Sequence, residues 1–136
     1  MDRIDVEQLR QKLQIQRHEI LHFLSALEEE TRSLEADSTQ DSADRCVANL
    51  SKESLFERRS QRRTLLRMVD AALERIADGS FGTCVGCARD IPVRRLRALP
   101  WTQLCIRCQE EMEKNASLSA SARTFATSEV TLRRAE

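Results

Sequence analysis

From Val6 onward the apolar side chains return every seven residues, with Val6, Leu13, Ile20, Leu27 and Leu34 in one column and Leu9 and Phe23 in a companion column. A seven-residue repeat is the seam of a coiled coil, in which two apolar columns of one helix face a partner helix. Gln16 and Glu30 interrupt the companion column, so the seam is weaker than a leucine zipper and suits one nearby partner. Asp5 followed by Gln8 reads as a helix-start capping pattern. The run Asp37-Ser38-Thr39-Gln40-Asp41-Ser42 ends the first helix near Ala36, because these side chains bond their own backbone and favour turns. Either Ser38 or Asp41 can cap a second helix, which runs to Ala77 and stops at Asp78-Gly79. Its apolar rows are Leu66, Val69, Leu73 and Ile76, with Val47, Leu50 and Leu55 nearer the turn.

The two arms, about 5 to 36 and 44 to 77, match in length, and at 1.5 Å rise per residue each spans roughly 50 Å. Equal arms joined by a short turn predict an antiparallel hairpin over residues 1–78, with its tip near 37–44. Such a rod buries only a narrow stripe, so its open base needs another source of stability. A cysteine module over 79–114 follows at that end. Residues 115–136, rich in Ser, Ala and Thr without a sustained apolar repeat, read as a disordered tail. The expected fold is mainly α: a long antiparallel helical hairpin with a small four-cysteine zinc-finger module at its base and a short C-terminal helix.

Composition supports helices over sheets: aromatic residues are 4% with no Tyr, and only three Gly and two Pro occur. Lys+Arg and Asp+Glu both number 22, so net charge does not mark a nucleic-acid binder. The start Met1-Asp-Arg-Ile-Asp lacks the charged and apolar run of a signal peptide, and no stretch approaches the roughly 18 apolar residues of a membrane span. A cytoplasmic chain with no membrane partner is expected, acting as a monomer. In that compartment thiols stay reduced, which turns the five cysteines toward metal rather than disulfides.

Cys84-Val-Gly-Cys87 and Cys105-Ile-Arg-Cys108 are separated by seventeen residues, the spacing of a four-thiolate zinc site. Each pair puts two sulfurs on one tight turn, Gly82 and Gly86 relax the first turn, and the intervening loop returns the second pair. Four protein sulfurs leave no open position for water, so one structural zinc ion is expected and catalysis is not. Two redox-active pairs, or an iron-bound form, are the competing readings. Cys46 stands alone on the first turn of the second helix; it reads as a small apolar residue, since neighbouring Asp44 disfavours the thiolate a sensor needs.

His18-Glu-Ile-Leu-His22 matches the helical motif of zinc proteases, but Ile20 lies in the seam, so both histidines point sideways and outward. Arg58, Arg59, Arg62 and Arg63 form a basic band that is either a solvated face or a docking surface for an acidic partner. The acidic stretch Gln109-Glu-Glu-Met-Glu-Lys114 after the last cysteine argues against direct, sequence-specific DNA recognition.

The order Asp41-Ser-Ala-Asp44-Arg, a helix, Ala72-Leu-Glu-Arg-Ile-Ala-Asp-Gly-Ser-Phe-Gly-Thr-Cys84, then Ile91-Pro-Val-Arg-Arg-Leu-Arg-Ala-Leu-Pro100 and Leu104-Cys-Ile-Arg-Cys108-Gln resembles the DksA/TraR family of bacterial transcription factors. The resemblance covers about residues 4 to 114, and the spacing from tip to first cysteine matches without a gap. It implies a non-enzymatic regulator whose hairpin enters the secondary channel of RNA polymerase. Asp41 and Asp44 then act near the catalytic centre to change the lifetime of promoter complexes. The third tip position, usually Ala in the family, is Cys46, and Ala88 stands where Gly commonly follows the first cysteine pair. The chain also starts close to its first helix, without the longer N-terminal extension of the best-known members. In those members the alarmone ppGpp binds through basic side chains whose positions fall here on Met68, Leu99 and Gln109. None carries a charge, which implies little ppGpp dependence. The rival to a polymerase-binding regulator is a thiol-responsive zinc module acting in redox sensing or protein protection, which has no need of an acidic tip.

Overall fold

The computed structural model describes the backbone of residues 5–36 and 42–133. The described residues form four helices: α1 (Val6–Ala36), α2 (Ser42–Asp78), α3 (Val93–Ala98) and α4 (Ile106–Arg133). Among the described residues the one element of β pairing is an isolated antiparallel bridge between Thr83 and Asp90. The expected hairpin tip, with Ser38 and Asp41, lies outside the described residues, as does the side chain of Asp44.

The chain divides into two compact units, the first comprising Met1–Phe81 with Val93–Thr102. Within it α1 and α2 run antiparallel, because partners ascend one helix as they descend the other. Arg17 Nε donates to Asp70 Oδ1 at 2.8 Å, while Phe23, further along α1, faces Arg58 and Arg62, earlier on α2. The seam buries Leu9, Leu13, Ile20 and Leu27 from α1 and Leu55, Val69 and Ala72 from α2. Around Leu13, Ile20, Val69 and Ala72 pack Leu24, Leu65, Leu66, Leu73 and Ile76, with Phe81 and Trp101 at the margin. At 1.5 Å per residue, α1 with its 31 residues and α2 with its 37 span about 46 and about 56 Å.

The ends of the helices follow from local chemistry. Asp5 Oδ1 accepts the Gln8 N–H at 3.1 Å, satisfying an amide that α1 itself leaves unpaired. At the other end of the hairpin Gly79 adopts φ +81°, which a residue without Cβ reaches freely, and the Phe81 N–H closes on the Arg75 carbonyl at 3.0 Å. Asp78 Oδ1 accepts both the hydroxyl and the N–H of Ser80, and these bonds, the hydroxyl first, hold its carboxyl below the usual range. The chain then returns to this unit at Val93–Thr102, where Leu96 is fully buried and Trp101 meets the seam cluster.

Two expectations need correction. Val47 and Leu50, placed by sequence among the apolar rows of α2, are 64% and 66% exposed, because both fall outside the seven-residue columns that bury Leu55, Val69 and Ala72. The segment expected to be a disordered tail from 115 is helical to Arg133, and α4 is long rather than short. No Gly or Pro follows Pro100 to break it. Ala favours the helical state, and the hydroxyls of Ser117, Ser119 and Ser121 find partners within the helix, on the carbonyls of Glu113, Asn115 and Ser117 at 2.9 to 3.0 Å, without adding to its stability. The periodicity argument failed here because the described side chains of α4 form no buried apolar face: Met112 and Leu118 are 59% and 69% exposed.

Candidate metal centre

The second unit, Gly82–Pro92 with Gln103–Glu136, holds both cysteine pairs. Its first pair sits on a turn built by three backbone bonds: Ile91 N–H to the Gly82 carbonyl at 2.7 Å, Cys84 N–H to Arg89 at 2.8 Å, and Ala88 N–H to Cys84 at 2.9 Å. The second pair spans the start of α4, whose first turn is opened by the Gln109 N–H bonding to the Cys105 carbonyl at 3.0 Å. One backbone bond, Val85 N–H to Gln103 at 3.0 Å, ties the two turns together.

The Sγ atoms of Cys84, Cys87, Cys105 and Cys108 all lie within 4.8 Å of one another, and none is in a disulfide. Zinc bound to four thiolates has bonds of about 2.3 Å, which give a tetrahedron with edges of about 3.8 Å. Cys87 Sγ and Cys105 Sγ are 3.8 Å apart. The donor set and its spacing therefore fit zinc, with all four positions filled by this chain's own sulfurs. A bound zinc would supply cross-linking between the two turns rather than a reactive centre.

Backbone amides prepare the sulfurs for charge. The Cys105 N–H points at Cys84 Sγ across 3.3 Å, and this bond is the main reason that the Cys84 thiol is brought down to about 6. Cys105 is lowered chiefly by the Cys108 amide at the opening of α4. Cys108 moves the other way, to about 12, first through its contact with Cys105 and then through burial and the remaining two sulfurs. The cluster can carry some thiolates by itself but resists the last, and a dication removes that resistance.

The glycines and one alanine have distinct tasks. Gly82 takes φ +92°, as expected of a residue relaxing a turn. Gly86 instead provides space: a Cβ there would come within 3.0 Å of Cys108 Sγ and 3.2 Å of Cys108 Cβ. Ala88 sits at φ 56°, in the left-handed region that costs an L residue roughly 1–2 kcal/mol. That conformation is one that glycine would adopt without this cost.

The other residues singled out by sequence scatter. Cys46 is exposed and is not one of the four grouped sulfurs. His18 and His22 are exposed on either side of buried Ile20 and share no metal cluster among the described residues. The arginine band is divided: the guanidinium carbons of Arg58 and Arg62 lie 5.5 and 4.6 Å from the Phe23 ring centroid, whereas Arg59 and Arg63 make no such contact. Sequence reading missed this stack, although the column Leu55, Arg62, Val69, Ile76 already places Arg62 in the seam.

Residues 79–114 match the model of the prokaryotic dksA/traR C4-type zinc finger. The chain is 31% identical over 113 residues to the RNA polymerase-binding transcription factor DksA of Caulobacter vibrioides, covering 80% of this chain and 76% of that protein. The chain belongs to the DksA/TraR family. An uncharacterized protein of Aquifex aeolicus is 34% identical over 82% of this chain and 78% of its own length. Among solved structures, transcription factor DksA2 from Pseudomonas aeruginosa matches with a TM-score of 0.72 at 30% identity, over 85% of this chain and 88% of that one. A long helical hairpin joined to a C4 finger is the DksA/TraR architecture, and this chain has both parts.

Two outcomes test the finger. Chelation of the metal-loaded protein is expected to lower its thermal unfolding temperature by several degrees, since metal binding supplies folding energy to a small module. Unchanged unfolding contradicts a structural metal. Ala88→Gly is expected to stabilise the module by about 1 kcal/mol by relieving the left-handed strain, read as slower metal loss to a chelator.

Proposed function

We propose that this chain is a non-enzymatic transcription regulator that binds RNA polymerase by inserting the α1–α2 hairpin into the secondary channel. The observation that carries this reading is an antiparallel helix pair about 46–56 Å long in a DksA/TraR-family chain whose Caulobacter relative is an RNA polymerase-binding transcription factor. Two helices side by side are thin enough for a channel closed to a globular domain. In this reading Asp41 and Asp44 work near the catalytic centre, with Cys46 beside them in place of a smaller residue. The finger holds one zinc per chain as structure, and the protein acts as a monomer without sequence-specific DNA contacts. The acidic run Glu110, Glu111 and Glu113 on exposed turns of α4 supports that last point.

Potentiation by ppGpp is expected to be weak. Met68 and Leu99 are apolar and about one-third exposed, at 37% and 38%. Gln109 is neutral and donates its side-chain amide to Glu113 Oε1 at 2.8 Å. Nearby Arg67 is turned onto the Thr64 hydroxyl at 3.1 Å. A polyphosphate needs charged donors, whose bonds to anionic oxygens are about twice as strong as neutral ones.

Asp41→Asn with Asp44→Asn is expected to leave polymerase affinity within about twofold, as for ordinary surface substitutions, while removing most of the transcriptional effect. Undiminished repression of a sensitive promoter by the double variant contradicts the tip mechanism. In transcription assays on a polymerase lacking any other alarmone site, ppGpp is expected to add little to the action of this chain. Strong potentiation there would mean that other side chains build the pocket.

A further inference from the structure

The apolar seam of the hairpin is interrupted. Counted in sevens along α2, one column reads Leu55, Arg62, Val69, Ile76 and its companion reads Arg58, Leu65, Ala72. Leu55, Val69 and Ala72 are buried, and Leu65 and Ile76 pack against the core. Arg58 and Arg62 thus occupy two places where the repeat calls for aliphatic side chains. Both remain exposed and lay their guanidinium groups over the half-buried Phe23 ring of α1, at 5.5 and 4.6 Å from its centroid.

Stacking on an aromatic face constrains a guanidinium and leaves its N–H fork at the edge free to donate. Two like charges share one ring, and among the described residues no carboxylate pairs with Arg58, Arg59, Arg62 or Arg63. Arg59, Arg63 and Arg67 continue the charge around the helix, and no acidic residue falls between Arg58 and Arg67. The result is a collar of five arginines along about 14 Å of shaft.

The surroundings of the collar select its partner. On the tip side α2 carries Glu53 and Glu57. The register set by Arg17 with Asp70 and Phe23 with Arg62 brings the exposed run Glu28-Glu29-Glu30 of α1 level with Glu57. A phosphodiester chain lying along the shaft would meet these acids, whereas a bounded patch of carboxylates on a folded protein would meet the collar alone. We propose that the arginine collar backed by Phe23 is a docking surface for an acidic patch on RNA polymerase, an inference that rests on the function proposed above. The collar governs how fast and how tightly the hairpin engages, leaving the outcome of engagement to the tip.

The test measures association of the full, zinc-loaded chain with immobilised RNA polymerase across a salt series. Arg58→Gln with Arg62→Gln is expected to weaken binding about tenfold or more, mostly through slower association, and to flatten its salt dependence. Phe23→Leu keeps the charges but loses the stack, and is expected to fall between that variant and the parent. Binding by the Arg58→Gln, Arg62→Gln variant within about twofold of the parent overturns the proposal. If this variant melts early by circular dichroism, the decision passes to Arg63→Gln with Arg67→Gln, both exposed and outside the seam columns; about threefold weakening supports the collar and none overturns it. Polyglutamate is expected to compete with polymerase more effectively than a single-stranded oligonucleotide of equal charge, and the reverse order overturns the assignment to a protein patch. No binding by the parent overturns the function proposed above and the collar with it, whereas parent binding with unaffected variants overturns the collar alone.

Discussion

The first unit depends on a narrow apolar contact between two helices, with Leu13 and Ile20 on one side and Val69 and Ala72 on the other. Isolated helices are held weakly by their own hydrogen bonds, so α1 and α2 persist because each buries a stripe against its neighbour. A stripe this thin leaves most of both helices in water. That exposure is what frees the outer faces to carry charge: the ion pair of Arg17 with Asp70, the acidic run at Glu28–Glu30 and the arginines of α2 all sit around the same seam. Phe81 and Trp101 close the margin of the cluster, and Leu96 is buried in the returning segment, so the end of the hairpin is packed where the two helices alone would fray.

The four-sulfur module solves a different problem with different means. It has almost no apolar core of its own, Cys84 and Ile91 being its buried apolar residues among those described. Its order comes from backbone bonds within one short turn, from the amide of Cys105 directed at Cys84 Sγ, and from the space left by Gly86 beside Cys108. These features bring four thiols together, and their mutual resistance to full ionisation makes a dication the natural complement.

The helical hairpin and the meeting of four cysteine sulfurs were legible in the sequence because both are written as spacings. The heptad column Leu13, Ile20, Leu27 needs no tertiary knowledge, and neither does the pairing of two Cys-x-x-Cys turns. Features that arise from a partner strand of structure were not legible. The Arg58 and Arg62 stack requires knowing that Phe23 lies opposite, and the strain at Ala88 is a property of a folded turn. Gly86 was expected to ease the backbone, but it is needed for clearance from Cys108. The helicity of residues 115–133 escaped a reading based on apolar periodicity because local propensity and the absence of Gly and Pro, which leave no apolar repeat, shape that stretch.

Cys46 offers a direct probe of where the hairpin goes, being exposed near the start of α2 and apart from the four cluster sulfurs. With the finger loaded with zinc to protect its cysteines, a photoactivatable cross-linker attached at Cys46 and irradiated in the presence of RNA polymerase reports the surroundings of the tip. Insertion into the secondary channel predicts adducts on polymerase segments that line the channel close to the catalytic centre. Adducts confined to the outer surface of the enzyme, or none at all under conditions where the chain is bound, would contradict it.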